Sequence, residues 1–333
     1  MHELAFPLLV GLIILALAFD FLNGLHDAAN SIATVVSTRL LSPINAVLFA
    51  GVGNFAAYFL FSTHKVADTV GKGIIDKDVV TPSVVFGALV GAMFWNIFTW
   101  LRGIPSSSSH ALIGGLLGAG IAHAGFGAVQ TGGTLKTLTF IVISPMLGFA
   151  IAMLMMLLTT WLFRGFRPRK AEGVFKSLHL LSSAAYSISH GGNDAQKTMG
   201  IITVLLYSTG NLHGEFHVPD WVVISCYTAI ALGTLSGGWK IIKTMGTGLT
   251  KLNHHTGFCA STAGSIVVFG ATAMGIPVST THAITGSVVG TGAARKETAV
   301  RWTVAARVVM AWFITIPASA AVGAIFYTLT RMF

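Results

Sequence analysis

Pro105-Ser106-Ser107-Ser108-Ser109-His110-Ala111-Leu112-Ile113-Gly114 is matched, 172 residues later, by Pro277-Val278-Ser279-Thr280-Thr281-His282-Ala283-Ile284-Thr285-Gly286. The register holds through Gly118 and Gly290, then Gly120 and Gly292, and reaches Pro145 and Pro317 without a gap. A second pair lies upstream. Asn23-Gly24-Leu25-His26-Asp27-Ala28 is similar to His190-Gly191-Gly192-Asn193-Asp194-Ala195, at an offset of 167. Two motif pairs in the same order mark an internal repeat.

The composition around these motifs sets the medium. Of 333 residues, 53% are apolar and 9% charged, where a soluble domain carries about 25% charged residues. Mean hydropathy is +0.76. Apolar stretches run over 4–30, 43–62, 83–104, 107–123, 137–163, 178–208, 221–243, 255–275, 279–293 and 302–328. Several are long enough for the ~20 residues that cross a bilayer. A nucleic-acid protein, a secreted disulfide scaffold and an ordinary soluble enzyme are excluded. Cys226 and Cys259 fall inside apolar spans and define no disulfide or metal framework. Met1–Ala5 carries no Lys or Arg, and the apolar run after it lacks a cleavage pattern, so it reads as the first spanning helix.

The expected fold is therefore all-α, a polytopic membrane protein. The basic run Arg164-Gly165-Phe166-Arg167-Pro168-Arg169-Lys170, continuing to Lys176, divides the spans into two groups of five. This gives a first membrane repeat over 1–163, a short basic linker over 164–177 and a second repeat over 178–333. An odd number of spans per repeat inverts the second copy, an arrangement common in secondary transporters. Alternate loops hold 12 and 5 Lys and Arg residues. The positive-inside rule then puts 164–177 in the cytoplasm and both termini outside.

Three carboxylates lie within apolar spans: Asp20, Asp27 and Asp194. A charge near the bilayer centre costs at least ~2.5–3.5 kcal/mol on insertion scales, so each needs compensation or a function. Asp27 and Asp194 are matched across the repeat; Asp20 is not, and reads equally as a structural ion pair. Gly24 and the Gly191-Gly192 pair suggest that the first and sixth spans unwind beside the carboxylates. Gly114/Gly118 and Gly286/Gly290 have the small-xxx-small spacing of close helix packing.

The Ser/Thr clusters carry a second signal. Each interrupts an apolar stretch just before a new helix, whose free N–H groups and positive dipole end attract anions, phosphate above all. Capping explains one or two hydroxyls, not a repeated run. With so little polar loop on either side, each cluster reads as the tip of a re-entrant hairpin at mid-membrane, the two entering from opposite faces. His110 and His282 are placed to donate to an anion, carry a proton or cap the turn; His26 and His190 are similar cases. Lys197, three residues after Asp194, lies on the same helical face and is expected to pair with it. Arg307 reads as an interfacial snorkelling residue.

Asp20-Phe21-Leu22-Asn23-Gly24-Leu25-His26-Asp27-Ala28-Ala29-Asn30, the Pro105–His110 and Pro277–His282 runs, and His190-Gly191-Gly192-Asn193-Asp194-Ala195-Gln196-Lys197 together resemble the inorganic phosphate transporter (PiT) family, its bacterial low-affinity Pit members in particular. The resemblance covers essentially the whole chain. It implies an inverted-repeat fold with helical hairpins in a bacterial inner membrane. The implied activity is symport of inorganic phosphate, as the free ion or a neutral complex with a divalent metal, coupled to H+ or Na+. No cofactor and no resident metal are implied. By position, Asp27, Asn30, Asn193, Asp194 and Gln196 would contact phosphate or the coupling cation. Ser106, Ser107, Ser108, Ser109, Ser279, Thr280 and Thr281 would hold phosphate oxygens. Lys197, His110 and His282 join Asp27, Asp194, Asn30, Asn193 and Gln196 as candidates for the coupling ion or proton.

Two features depart from the family pattern. Many members carry Asn-Asp in both repeats, whereas the first copy here reads His26-Asp27, which leaves the coupling ion open. The central loop is also short, where relatives often insert a soluble domain. A channel and an intramembrane protease are the competing readings. Paired broken spans favour a carrier, and neither a Gly-x-Ser-x-Gly turn nor a His-Glu-x-x-His motif is present. Transporters of this size often form homodimers, but the sequence carries no interface signature.

Overall fold

The computed structural model describes residues 6–212, 214–295 and 300–332. The helices in chain order are α1 (Phe6–Ser37), α2 (Pro43–Leu60), α3 (Lys65–Lys72), α4 (Pro82–Arg102), α5 (Ser108–Ala124) and α6 (Thr131–Leu162), then α7 (Pro168–Ser208), α8 (Asp220–Ser236), α9 (Trp239–Lys243), α10 (His254–Ala273), α11 (Thr280–Ala293) and α12 (Trp302–Thr330). Among the described residues α1, α2, α4, α6, α10 and α12 are long and apolar enough to cross a membrane. The α8–α9 pair, bent by 65°, makes a seventh candidate. Residues 168–177, read from sequence as linker, already form the start of α7.

Helix–helix contacts come in exchanged pairs. α1 packs on α8 as α7 packs on α2; α1 meets α4 as α7 meets α10; α5 lies against α12 as α11 lies against α6. The pattern follows the sequence repeat, because a pair of matched surfaces recurs wherever the matched residues do.

α7 explains how a polar sequence can sit at membrane depth. Every residue from Ser189 to Leu206 is buried, so protein surrounds this stretch and lipid does not reach its polar side chains. The outer surface is apolar instead, with Met146, Leu154 and Leu157 of α6 and Met310, Phe313 and Ile325 of α12 exposed.

The unwinding expected at Gly24 and Gly191-Gly192 does not occur, since α1 and α7 run unbroken through both sites. The glycines there allow close approach. A Cβ at Gly24 would collide with the backbone of Ile230, one at Gly191 with Asn54, and one at Gly192 with the Phe61 ring. Gly118 and Gly290 do face neighbouring backbone, at Ala320 and Phe149.

The breaks fall instead at the Ser/Thr clusters. Gly103 and Gly275 adopt φ +64° and +67°, the left-handed conformation that ends a helix and favours glycine. Ile104-Pro105 and Ile276-Pro277 follow, and the Pro cannot continue the helix. Ser107 and Ser279 then restart it, their Oγ atoms accepting from the N–H of His110 (3.2 Å) and His282 (3.1 Å). Ser107→Ala and Ser279→Ala should each lower stability by about 1 kcal/mol, as loss of an N-cap does. Thermal unfolding in detergent checks this.

Candidate functional site

Four segments converge on one buried polar centre. The middle of α1 supplies Asp27 and Asn30, the middle of α7 supplies His190, Asp194 and Lys197, and the first turns of α5 and α11 supply Ser108, Ser109, Thr280 and Thr281. None of these residues is more than 2% exposed. Helix restarts at 108 and 280 bring hydroxyls from both repeats to the carboxylates.

Thr280 bridges the two carboxylates, its Oγ1 placed to donate to Asp27 Oδ2 (3.4 Å) or Asp194 Oδ2 (3.2 Å). Ser108 Oγ donates to Asp27 Oδ1 (3.4 Å), and Thr281 Oγ1 approaches both Asp27 oxygens at 3.5 and 3.4 Å. Asn30 Nδ2 donates to Thr281 Oγ1 (2.9 Å). His190 Nε2 lies 3.2 Å from Asp194 Oδ2 and 4.0 Å from Asp27 Oδ2. Lys197 Nζ donates to Asp194 Oδ1, Ser109 Oγ and Val278 O. Ligand atoms of Asp27, His190 and Asp194 gather within 4.8 Å of one another, a span that one cation could bridge.

Other sequence candidates contact neighbouring elements and not the two carboxylates. Ser107 and Ser279 have their hydroxyls engaged as caps. Ser106 donates to Thr99 Oγ1 (2.8 Å), which also lies 3.1 Å from His26 Nε2. Asn193 Nδ2 turns to Thr272 Oγ1 (2.8 Å) and Ile276 O (3.2 Å), fixing the second break to α7. Gln196 Oε1 accepts from Val66 N–H (3.1 Å) at the start of α3, away from the carboxylates. His110 and His282 pack ring against ring at 4.5 Å, and His282 stacks on Trp312 at 3.7 Å. Asp20 is fully buried beside Thr198 and Asn23, and among the described residues neither oxygen meets a donor in good hydrogen-bond geometry.

The sequence candidates His26 and His190 are held by supporting residues that the sequence reading missed, among them Thr99, Asn54 and Thr234, and Tyr186 is a further one. His26 Nδ1 lies 2.7 Å from Asp27 Oδ1 and, through Thr99, ties the carboxylate to the first break. His190 Nδ1 meets Asn54 Oδ1 at 3.1 Å, and Asn54 Nδ2 donates to Thr234 Oγ1 (2.7 Å). Tyr186 OH donates to Thr280 O (2.9 Å), pinning the start of α11 to α7. Their only signal was a polar residue inside an apolar span, as at Asn54 and Thr99.

The site sets hydroxyl donors and an ammonium beside two carboxylate acceptors. Hydroxyls and helix N-termini donate to anionic oxygens, whereas carboxylates accept from protonated ones. Comparison with known proteins gives the family. The model of the phosphate transporter family matches residues 23–323. The chain is 60% identical to a probable low-affinity inorganic phosphate transporter of Rhizobium meliloti over 97% of each chain. It is 43% identical to the protein of the same description in Bacillus subtilis, over 96% of each. Among solved structures it is similar to a sodium-dependent phosphate transporter, with a TM-score of 0.90 and 26% identity over 98% of this chain and 99% of that one. The chain belongs to the phosphate transporter family.

Proposed function

We propose that this multi-pass membrane transporter imports inorganic phosphate by symport with H+ or Na+, through alternating access around the buried centre between α1, α5, α7 and α11. The protein is a transporter and not an enzyme. The observation that carries the reading is the convergence of two helix starts and their hydroxyls on two carboxylates. Phosphate near neutral pH is both a hydrogen-bond acceptor and a donor, so it suits that mixed set. Sulfate, fully deprotonated, has no proton to offer Asp27 or Asp194 and would be repelled.

The exchanged contact pattern supports two inverted repeats, over 1–163 and 178–333, that move against each other. The hairpins α4–α5 and α10–α11 would be the gating elements, re-entrant at their Ser/Thr tips. In this reading both termini lie outside a bacterial inner membrane and the basic 164–177 segment faces the cytoplasm. The gathering of Asp27, His190 and Asp194 favours a second form of the substrate, a neutral complex of phosphate with a divalent metal.

The test is labelled phosphate uptake into proteoliposomes, with unlabelled phosphate or sulfate in competition. Saturable uptake that phosphate suppresses and sulfate leaves unchanged supports the reading; equal suppression by sulfate rejects it. Raising and chelating divalent metal in the same assay tests the complexed form. Thr280→Val, isosteric but without the hydroxyl shared by the two carboxylates, should raise the half-saturating phosphate concentration about tenfold, the equivalent of a charged hydrogen bond of about 1.5 kcal/mol.

A further inference from the structure

We infer that Lys197 is a built-in cation: its ammonium supplies, in the second repeat, the positive charge that the first repeat, with neutral Asn30 in the equivalent place, takes from a mobile coupling cation. The inference rests on the phosphate-symport reading and deepens it.

The repeat provides the comparison. Asp27-Ala28-Ala29-Asn30 aligns with Asp194-Ala195-Gln196-Lys197, so the residue one turn after each carboxylate is Asn30 in one half and Lys197 in the other. Both reach across to the opposite hairpin. Asn30 Nδ2 donates to Thr281 Oγ1 (2.9 Å), and Lys197 Nζ donates to Ser109 Oγ. Ser109 and Thr281 are themselves matched at the 172-residue offset. The two side chains therefore hold equivalent places, one neutral and one cationic.

The ligands of Lys197 are those of a bound monovalent cation. They are a carboxylate oxygen of Asp194, a hydroxyl of Ser109 and the free carbonyl of Val278 (2.8 Å), from three separate segments. Carbonyls at helix breaks, together with side-chain oxygens, hold Na+ in transporters with discontinuous helices. An ammonium has three hydrogens to donate, and each meets one of these oxygens. The side chain is 2% exposed, a position tolerable for a charge only when it is paired and fully hydrogen-bonded. Among the described residues Asp27 meets no lysine or arginine; its nitrogen neighbours are His26 Nδ1 at 2.7 Å and His190 Nε2 at 4.0 Å. The second half thus neutralises its own carboxylate, and only the first half requires a cation from solution.

The experiment is phosphate counterflow in proteoliposomes, with wild type and Lys197→Asn compared in choline, sodium and ammonium media. In choline medium holding only the lowest sodium that supports wild-type exchange, the variant should exchange phosphate at least about tenfold more slowly than wild type, because a buried carboxylate has lost its partner. Sodium or ammonium, each small enough for the vacated space, should restore most of that rate, and choline should not. A variant as fast as wild type in choline, or one that is folded yet slow in all three media, overturns the assignment. Should Lys197→Asn not fold, the wild type decides. Its sodium titration should show no dependence or a Hill coefficient no greater than about 1, and a coefficient near 2 overturns the assignment. Wild type that exchanges no phosphate in any medium would remove the transport reading itself, and this assignment with it.

Discussion

Asp194→Asn is expected to abolish phosphate uptake and to destabilise the fold, whereas Asp27→Asn abolishes uptake at a smaller cost in stability. Both carboxylates sit at the centre of the site, and an amide in either place cannot balance a cation. Uptake should fall about 100-fold in each, equivalent to about 3 kcal/mol in the rate. Stability separates them. Asp194 bonds Lys197 Nζ directly and lies 3.2 Å from His190 Nε2. Its neutralisation leaves a buried ammonium without counter-charge, which costs about 3–5 kcal/mol. Asp27 is held by His26 and by hydroxyls of Ser108, Thr280 and Thr281. Losing an acceptor there costs about 1–3 kcal/mol, because the hydroxyl partners carry no charge. Initial uptake rates and thermal unfolding midpoints of the two purified variants provide the comparison. Equal midpoints would contradict the pairing of Asp194 with Lys197.

Gly118→Val should be the most damaging change away from the polar centre. Any Cβ at 118 would run into the backbone carbonyl, C and Cα of Ala320 on α12. Backbone cannot swing aside as a side-chain tip can, so α5 and α12 must separate. The expected loss is about 3 kcal/mol, at the upper end of the usual overpacking range. Uptake should fall as well, since α5 carries Ser108 and Ser109 at its start. Gly127→Ala is the control. That position has open space around it, and the unfolding midpoint should change by no more than the equivalent of about 0.5 kcal/mol.

The part of this architecture legible in the sequence is the part carried by repetition and by polarity in the wrong medium. Asp27, Asp194 and the two Ser/Thr runs stand out because apolar spans do not carry such residues without cause, and the structure brings both carboxylates together with Ser108, Ser109, Thr280 and Thr281. Lys197 followed from helical spacing to Asp194. The glycines misled, because Gly24 and Gly191-Gly192 are compatible with either an unwound helix or a close helix contact. Only the neighbours, Ile230, Asn54 and Phe61, decide between the two. Gln196 and Asn193 lie on the same helix as Asp194 but face α3 and the second break. A linear motif names residues without saying which way each one faces. The short helix α3 and the brace formed by Asn54, Thr234 and His190 were hidden for a related reason: a single polar residue in an apolar span gives no hint of its partner.

The most direct measurement of the central claim is accumulation of labelled phosphate in proteoliposomes under an imposed sodium gradient and, separately, an imposed proton gradient. The account predicts that one of the two drives internal phosphate above the external concentration, and that Asp27→Asn and Asp194→Asn remove the accumulation. Phosphate that only equilibrates across the membrane under both gradients would contradict symport and point to a passive path through the same buried centre.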